Sequence, residues 1–578
     1  NANDPLHVGH AMFVTVEDVF IRYQRMLGKS VLWLPGTDHA GIETQYVFEK
    51  KLKKEGKSRF DFDCETLYKM IWDYVQENSG AAIAQMKKLG ASADWSRQKF
   101  TLDKDIVELV TDTFIKLYQD GLIYRDLKLV NFCTKCGTAF SNLEVRHKEK
   151  KECLYYLKYG PFTLATVRPE TKFGDTAVAV HPKDKRYQKY IGREIEVEGL
   201  LGKFKIKVIG DEYVDPEFGT GVVKVTPAHD QNDFEAGKRH NLEIKQVVGF
   251  DGRLNEKAGP YQGLTVLQAR EKVVEDLKKK GLMEKIDENY RHTVGVCYRC
   301  GKTIEPLPLS QFFVKVKPLT EKVLKALKEK KVKIYGSGHD KILKHWLKNL
   351  YDWNISRQIV WGIRIPVWYP TSPGLRGASP DFVVSKKSPG KDYEQETDTF
   401  DTWFSSAQWP VVTLKTNQPG DFEKFYPTSL METGYDILPF WVMRMLMMGL
   451  YLTGKVPFEK VYLHGLVRDE RGQKMSKSKG NVMNPVEVIE KYGADALRMS
   501  LVMSTTAGND SATGEGKIRG MRNFTNKIWN AARYITMEES RFAPTSPRLR
   551  GASRDDEFIK YLNIVIEKVT KQLNDLKP

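Results

Sequence analysis

His7-Val8-Gly9-His10 stands between Asn3-Asp4-Pro5-Leu6 and an apolar-periodic run from Ala11 to Leu27. Two imidazoles three residues apart share one face of a helix, and a helix N-terminus carries the positive pole of its dipole. Such a place accepts phosphate, and Gly9 lets the backbone come close to a flat base. Near the other end of the chain lies Lys474-Met475-Ser476-Lys477-Ser478, followed by Lys479-Gly480-Asn481. Two lysines on a polar loop suit a triphosphate whose charge grows during transfer. Either segment alone reads more readily as a solvated polar stretch. The pair, in this order and so far apart, points to two halves of one nucleotide site.

Between these segments the texture changes several times. A chain of 578 residues exceeds a single core and implies about three or four domains. Val31 to Leu34 reads as a buried strand ending at Pro35-Gly36, and Glu65 to Leu89 as a helix. A second helix is expected from Asp103 as N-cap, with Ile106, Leu109, Val110, Phe114 and Leu117 on its apolar face. Residues 153–250 alternate in short Val-, Ile- and Thr-rich runs such as Thr176 to Val180 and Gly221 to Val225, the pattern of a β-rich insertion. Helical periodicity returns at 264–281 and 317–329, strand–helix alternation resumes to about residue 505, and the chain turns helical beyond Arg519. Thr371 to Ser379 is nearly repeated as Thr545 to Ser553; both read as inserted surface loops.

The balance of 91 basic against 74 acidic residues, a formal charge of +17, favours a polyanionic partner such as a nucleic acid. No apolar run is long enough to cross a bilayer and no signal-peptide pattern opens the chain. A cytoplasmic or organelle-matrix protein is the expectation. Cys133-x-x-Cys136 and Cys297-x-x-Cys300 bracket the β-rich stretch and have the spacing of metal knuckles. Cys64 and Cys153 read as single buried or incidental cysteines. Gly295 to Thr303 approaches a phosphate-binding loop, but its spacer is one residue too long and the second cysteine pair interrupts it.

Together the two nucleotide segments resemble the HIGH and KMSKS signatures of the class I aminoacyl-tRNA synthetases, and the resemblance runs almost continuously over residues 2–535. It implies an α/β fold: a Rossmann-like parallel-sheet catalytic domain split by a large β-rich editing insertion, followed by the start of a helical anticodon-binding domain. The expected divisions are 1–150, 151–296, 297–505 and 506–578. Relative to that family the chain is expected to be shortened at both ends. The implied reaction is attack of an amino-acid carboxylate on the α-phosphate of ATP, then transfer of the acyl group to the terminal ribose of tRNA. By resemblance His7 and His10 steady the α-phosphate, and Lys474 and Lys477 hold the departing pyrophosphate. Gly9, Gly434, Asp436, Ser476 and Ser478 contact ATP, which Mg²⁺ accompanies.

Further segments resemble the valine-specific members: Pro35 to Ile42, Asp401 to Ala407, and His464 to Asp469, while Trp353 to Gln358 with Trp361-Gly362 resembles a segment shared by the valine and isoleucine enzymes. Thr433 to Asp436 resembles the stretch that meets the ATP ribose. Asn3, Pro35, Asp38, Trp361 and Trp403 are the expected valine contacts, with Asp38 on the ammonium and the two indoles walling an isopropyl-sized slot. A slot of that kind rejects threonine only about a hundredfold, and valine enzymes are themselves the standard example. A hydrolytic second site is therefore expected in the insertion, at Arg168, Thr171, Phe218, Lys224, Thr226, Asp230 and Asp233. The four paired cysteines are expected to hold a structural Zn²⁺. The implied partners are the tRNA for valine, L-valine and ATP, with no membrane and a monomeric chain. Three rival readings stand beside it: an editing-only or tRNA-binding fragment whose shortened ends cost it charging activity, the isoleucine enzyme, disfavoured by Thr37 and Thr402 to Ser406, and a nucleotide-binding scaffold without chemistry.

Overall fold

The computed structural model describes residues 5–371, 382–475, 481–503, 505–541 and 552–575. Asn3, Ser476, Lys477 and Ser478 lie outside the described residues, as do most of the two near-repeated loops.

Three parallel strands form the centre of the main body. Lys460–His464 lies between Lys333–Tyr335 and Met431–Gly434. Val461, Tyr462 and Leu463 are completely buried, as a parallel strand covered on both faces demands. The first helix, Val8–Met26, lies on this sheet and sets the edge of Phe20 against Tyr462 at 5.5 Å between ring centroids. It begins three residues earlier than the apolar periodicity suggests, because His7 serves as its N-cap.

The expected strand at Val31 to Leu34 is absent. The residues there are only half-buried, and the strand is Gly36–Thr37, parallel to Lys99–Phe100. Bonds from Lys99 N to Pro35 O (3.1 Å) and from Thr101 N to Thr37 O (3.1 Å) fix this register. The helices Cys64–Leu89 and Lys104–Gln119 follow the sequence reading. Asp103 sits at the cap of the second but turns its carboxylate back to Phe100 N at 2.8 Å. Cys64 is exposed and Cys153 half-buried, so of the two readings, buried or incidental, the buried one does not hold.

Strands Val145–Tyr159 and Met283–Cys297 pair antiparallel along most of their length and form an arm. The chain between them carries a sheet in the order Val222–Val225, Ala177–Val180, Gly202–Gly210, Glu194–Gly199. Helices Gln231–Arg239 and Val266–Lys279 accompany it. Gly295 lies in the arm opposite His147, so the near-match to a phosphate loop begins in strand and runs on into the turn of the second cysteine pair. Where the arm meets the body, a four-stranded sheet of Thr138–Phe140, Ile123–Cys133, Glu305–Val314 and Trp353–Asn354 takes over. Helices Glu515–Arg541 and Ala552–Asn574 complete the described chain. Among the described residues no helix is long and apolar enough to cross a membrane.

Candidate functional site

The first helix opens with a reciprocal cap built from two histidines. Gly9 N donates to His7 Nδ1 at 3.1 Å, and His7 N donates to His10 Nδ1 at 3.1 Å. The rings stack with centroids 3.9 Å apart. Since each Nδ1 accepts a backbone N–H, a neutral ring carries its proton on Nε2, and both imidazoles present that nitrogen as a donor. Gly9 has a second use beyond close approach of a base. A Cβ there would lie 2.8 Å from His7 Cε1, so only glycine leaves room for the ring to fold back over the helix start.

The two distant sequence segments meet here. Val8 N donates to Met483 O at 3.3 Å, and Met475 and Met483 pack on the cluster formed by Val8, Ala11, Met12 and Val467. Lys474 is exposed on a hairpin where it bridges Arg468. Asp469 holds that hairpin, accepting from Gln473 N at 2.8 Å and from Asn481 Nδ2 at 2.8 Å.

Gly434 ends its strand opposite His464, at the carboxyl edge of the parallel sheet where such folds bind ligands. A Cβ on Gly434 would lie 2.8 Å from Asp436 Oδ1 and 3.3 Å from His464 Nε2. Beneath them His464 Nδ1 meets Glu432 Oε1 at 2.5 Å. Burial pushes the Glu432 carboxyl up. Burial lowers the His464 imidazole, but the Glu432 charge and hydrogen bond, with the Asp436 charge, together outweigh it and leave it above its ordinary value. Asp510, which sequence reasoning missed, ties the neighbouring loop together. It accepts from Leu466 N (2.8 Å), Tyr435 Oη (2.8 Å) and Arg468 Nε (2.5 Å).

Asp38 stands a short way from the histidines in sequence, with its carboxylate one-third exposed. Thr402 Oγ1 donates to Oδ1 at 3.2 Å, and Thr101 Oγ1 lies 3.3 Å from the same atom. Next to it Trp361 Nε1 donates to His39 O at 2.8 Å, and the indole is fully enclosed by Tyr68 and Trp72. Trp403 is only partly buried and packs on Phe440. Pro35 is buried at the entry to Gly36–Thr37. Behind the indoles lies an ionic core: Arg357 Nη2 reaches Glu144 (2.6 Å) and Asp401 (3.1 Å). Asp401 also accepts from Trp353 Nε1 at 2.8 Å, and Arg444 stacks on Trp353 at 4.2 Å. Asp38 is thus linked to the Trp361 indole through His39 and to the segment of Trp403 through Thr402.

The insertion holds a second polar cluster. Lys224 Nζ donates to Thr226 Oγ1 (2.5 Å), Thr171 Oγ1 (3.0 Å) and Asp175 Oδ1 (3.1 Å). Thr226 N donates to Asp233 Oδ2 at 2.8 Å, and Tyr213 Oη donates to Asp233 Oδ1 at 3.0 Å. Burial, aided by the Asp230 charge, pushes Asp233 up to about 7. Both Asp233 oxygens are therefore already engaged. Asp230 caps the helix Gln231–Arg239 through Oδ1, accepting from Asn232 N and Asp233 N, and remains exposed. Arg168 bridges Glu170 (3.2 Å) and Glu305 (2.6 Å). Phe218 stands half-exposed on the surface with its ring edge-on to Tyr290 of the arm at 6.5 Å. Asp175, Tyr213 and Glu305 were missed. Of these only Asp175 left a signal, a carboxylate set two residues before the buried run Ala177 to Val180.

The four paired cysteines converge where the arm meets the body, and their Sγ atoms all lie within 4.8 Å of one another. Cys133 and Cys300 are 3.5 Å apart, Cys136 and Cys297 3.9 Å. A tetrahedron of zinc–thiolate bonds of about 2.3 Å has edges of about 3.8 Å, so the donor set fits that ion. The two knuckles match in detail. In each the second cysteine's N–H points to the first sulfur, and a left-handed glycine, Gly137 or Gly301, donates to the first cysteine's carbonyl.

The sequence profile described as "tRNA synthetases class I (I, L, M and V)" matches residues 1–513. The valine–tRNA ligase of Petrotoga mobilis is 46% identical over 99% of this chain and 66% of its own length. That of Carboxydothermus hydrogenoformans is 47% identical over 100% of this chain and 66% of its own. The chain thus spans just under two thirds of these relatives. In fold it is similar to Mycobacterium tuberculosis methionyl-tRNA synthetase bound by methionyl-adenylate, with TM-score 0.56, 15% identity and coverage of 100% of this chain and 78% of that one. It is similar also to the Agrobacterium radiobacter K84 agnB2 LeuRS-tRNA-LeuAMS complex, with TM-score 0.55, 19% identity and coverage of 100% and 77%. The chain belongs to the class I tRNA synthetases of the I, L, M and V group.

Proposed function

We propose that this chain carries the ATP-dependent attachment of L-valine to its tRNA through a valyl-adenylate, and clears threonyl-tRNA by hydrolysis at a second site in the insertion. The observation that carries the reading is the bond from Val8 N to Met483 O, which sets the histidine cap beside the lysine hairpin at the edge of a parallel sheet.

In this reading valine docks with its ammonium on Asp38 and its isopropyl group between Trp361 and Trp403, framed by Pro35 and Asn3. ATP lies along Gly9, Gly434 and Asp436, with its ribose at the strand ends. As the carboxylate attacks the α-phosphate, charge builds on the phosphoryl oxygens, and the Nε2–H donors of His7 and His10 meet it. Lys474 and Lys477, with Ser476 and Ser478, receive the pyrophosphate, which Mg²⁺ escorts. No side chain becomes covalently bound, so the rate comes from positioning and charge stabilisation.

Threonine is nearly isosteric with valine and passes such a slot. The buried Lys224, Thr171, Thr226 and Asp175 cluster, flanked by Arg168, Phe218, Asp230 and Asp233, would hold the misacylated terminal adenosine and orient a water. Asp230 offers the open carboxylate oxygen, and Asp233 holds Thr226 in place. We assign this second activity to residues 151–296, catalysis to 1–150 and 297–505, and the start of a tRNA-binding helical domain to 506–578. Cys133, Cys136, Cys297 and Cys300 would hold Zn²⁺ as a structural ion that ties the arm to the body. Six free cysteines accord with a reducing compartment such as the cytoplasm, and we take the chain to act as a monomer.

ATP–pyrophosphate exchange with valine, threonine and isoleucine as separate substrates tests the reading. Strong exchange with valine, weaker with threonine and little with isoleucine is expected. Isoleucine-led exchange, or none with any of the three, would overturn it.

A further inference from the structure

The helix Gly41–Lys54 follows directly on Asp38-His39-Ala40 and is gripped by both cysteine knuckles. From the second knuckle, Tyr298 Oη donates to Glu43 Oε1 at 2.5 Å, and Arg299 Nη2 reaches Glu43 O at 3.4 Å. Arg299 also lies over the Tyr46 ring at 4.8 Å. From the first knuckle, Cys136 O accepts from Arg59 Nη1 at 3.3 Å, and the same guanidinium nitrogen donates to Glu49 Oε1 at 3.1 Å. Between these two grips sits Gln45. Its Nε2 donates to Glu49 Oε1 at 2.9 Å, while its Oε1 accepts from Val360 N (3.0 Å) and Trp361 N (3.3 Å). Trp361 in turn donates to His39 O, closing a loop that runs from the thiols to the amino-acid slot and back to the Asp38 segment.

The start of this helix is not fixed by a cap of its own. Ala40 is the N-cap yet adopts a left-handed φ of 54° and makes no side-chain cap bond. A non-glycine residue in that region is held by its surroundings rather than by its own preference. Those surroundings include the contacts just described, Thr44 Oγ1 donating to His39 O at 2.6 Å, His39 N donating to Thr101 Oγ1 at 2.8 Å, and Ile42 packed in the cluster of Cys133, Cys136 and Cys297.

We propose that Tyr298 and Arg59 are positioning residues for the amino-acid slot, through which the four-thiol centre fixes the helix Gly41–Lys54 and thereby Asp38 and Trp361. The inference rests on the assignment of that slot to valine. Neither residue touches the substrate. Each acts through the helix, so losing one should affect the amino acid, which Asp38 and Trp361 hold, and leave the contacts of the nucleotide with Gly9, Gly434 and Asp436 unaffected.

Tyr298→Phe keeps the ring against Phe140 and removes only the hydroxyl; Arg59→Met removes the guanidinium. In the zinc-loaded protein both should retain their metal. The KM for valine should rise roughly two- to tenfold, the scale of one net hydrogen bond, with the KM for ATP unchanged and melting temperature little moved. Amide hydrogen exchange should quicken at residues 41–54 and 359–361 in both variants, and in the parent protein after its zinc is chelated. An unchanged valine KM with unchanged exchange at 41–54 would overturn the inference. So would parallel rises in both KM values with a fall in melting temperature, which would mark a general loss of structure. If the parent shows no valine-dependent activity, the functional reading fails, while the exchange at 41–54 still decides whether the thiol centre holds this helix.

Discussion

Thr402 Oγ1 donates to Asp38 Oδ1 at 3.2 Å, joining residues 364 positions apart. Thr101 Oγ1 reaches the same carboxylate. The two hydroxyls orient the Asp38 carboxylate while its outer face stays open. Thr402→Val keeps the shape and removes one donor, so valine KM should rise roughly two- to tenfold in pyrophosphate exchange. Asp38→Ala should abolish valine-dependent exchange. Normal valine affinity in Asp38→Ala would move the ammonium site elsewhere.

The histidine cap leads to a kinetic signature. His10→Ala removes one Nε2–H donor, whose value lies in meeting charge that develops during the reaction. It should therefore lower kcat for exchange by about 10²-fold, the scale seen for single preorganised donors, with the KM for valine little changed. A variant that raised both KM values and spared kcat would show the cap to be only a helix start. His7→Asn, which can still accept from Gly9 N, separates capping from catalysis: the melting temperature should hold while kcat falls.

What could be read ahead of the structure was local. The histidine spacing, the CxxC pairs and the helical periodicity of residues 64–89 and 104–119 depend on neighbours within a few positions, and each formed where expected. The strand shift from Val31–Leu34 to Gly36–Thr37 was hidden because its partner, Lys99–Phe100, is only two residues long and distant in sequence. The partners that set the site's electrostatics were equally hidden. Asp175 under Lys224, Tyr213 on Asp233, Glu305 on Arg168 and Asp510 across the nucleotide edge are isolated polar residues whose meaning comes from contacts between remote segments.

Asp233 makes stability depend on pH in a sense opposite to that of a salt-bridged carboxylate. Burial raises its folded value to about 7, above the 3.8 of a free aspartate. Between those values the folded state binds the extra proton, so this group's contribution falls as pH rises from about 4 to about 7 and is level beyond. Asp233→Asn removes that contribution. Relative to the parent, the variant should gain melting temperature at pH 7.5 compared with pH 5. Parallel curves across that range would mean that Asp233 is ionised throughout.

Lys224 and Asp175 separate structural from editing roles in the insertion. The Asp175 side chain is fully buried and Lys224 nearly so. Lys224→Met strands the carboxylate with only the hydroxyls of Tyr159 (2.7 Å) and Thr226 (2.6 Å). Breaking a buried pair in this way costs about 3–5 kcal/mol, reduced here by those two donors, and it should appear as a lower melting temperature. On the proposed reading it should also abolish deacylation of threonyl-tRNA while valine-dependent exchange persists, since Asp38, Trp361 and Trp403 lie outside the insertion. Lys224→Met with Asp175→Asn removes the stranded charge, so stability should return and deacylation should not. If the double variant recovers deacylation, Lys224 acts only by neutralising Asp175. If the single variant deacylates normally, the editing site lies elsewhere in the insertion.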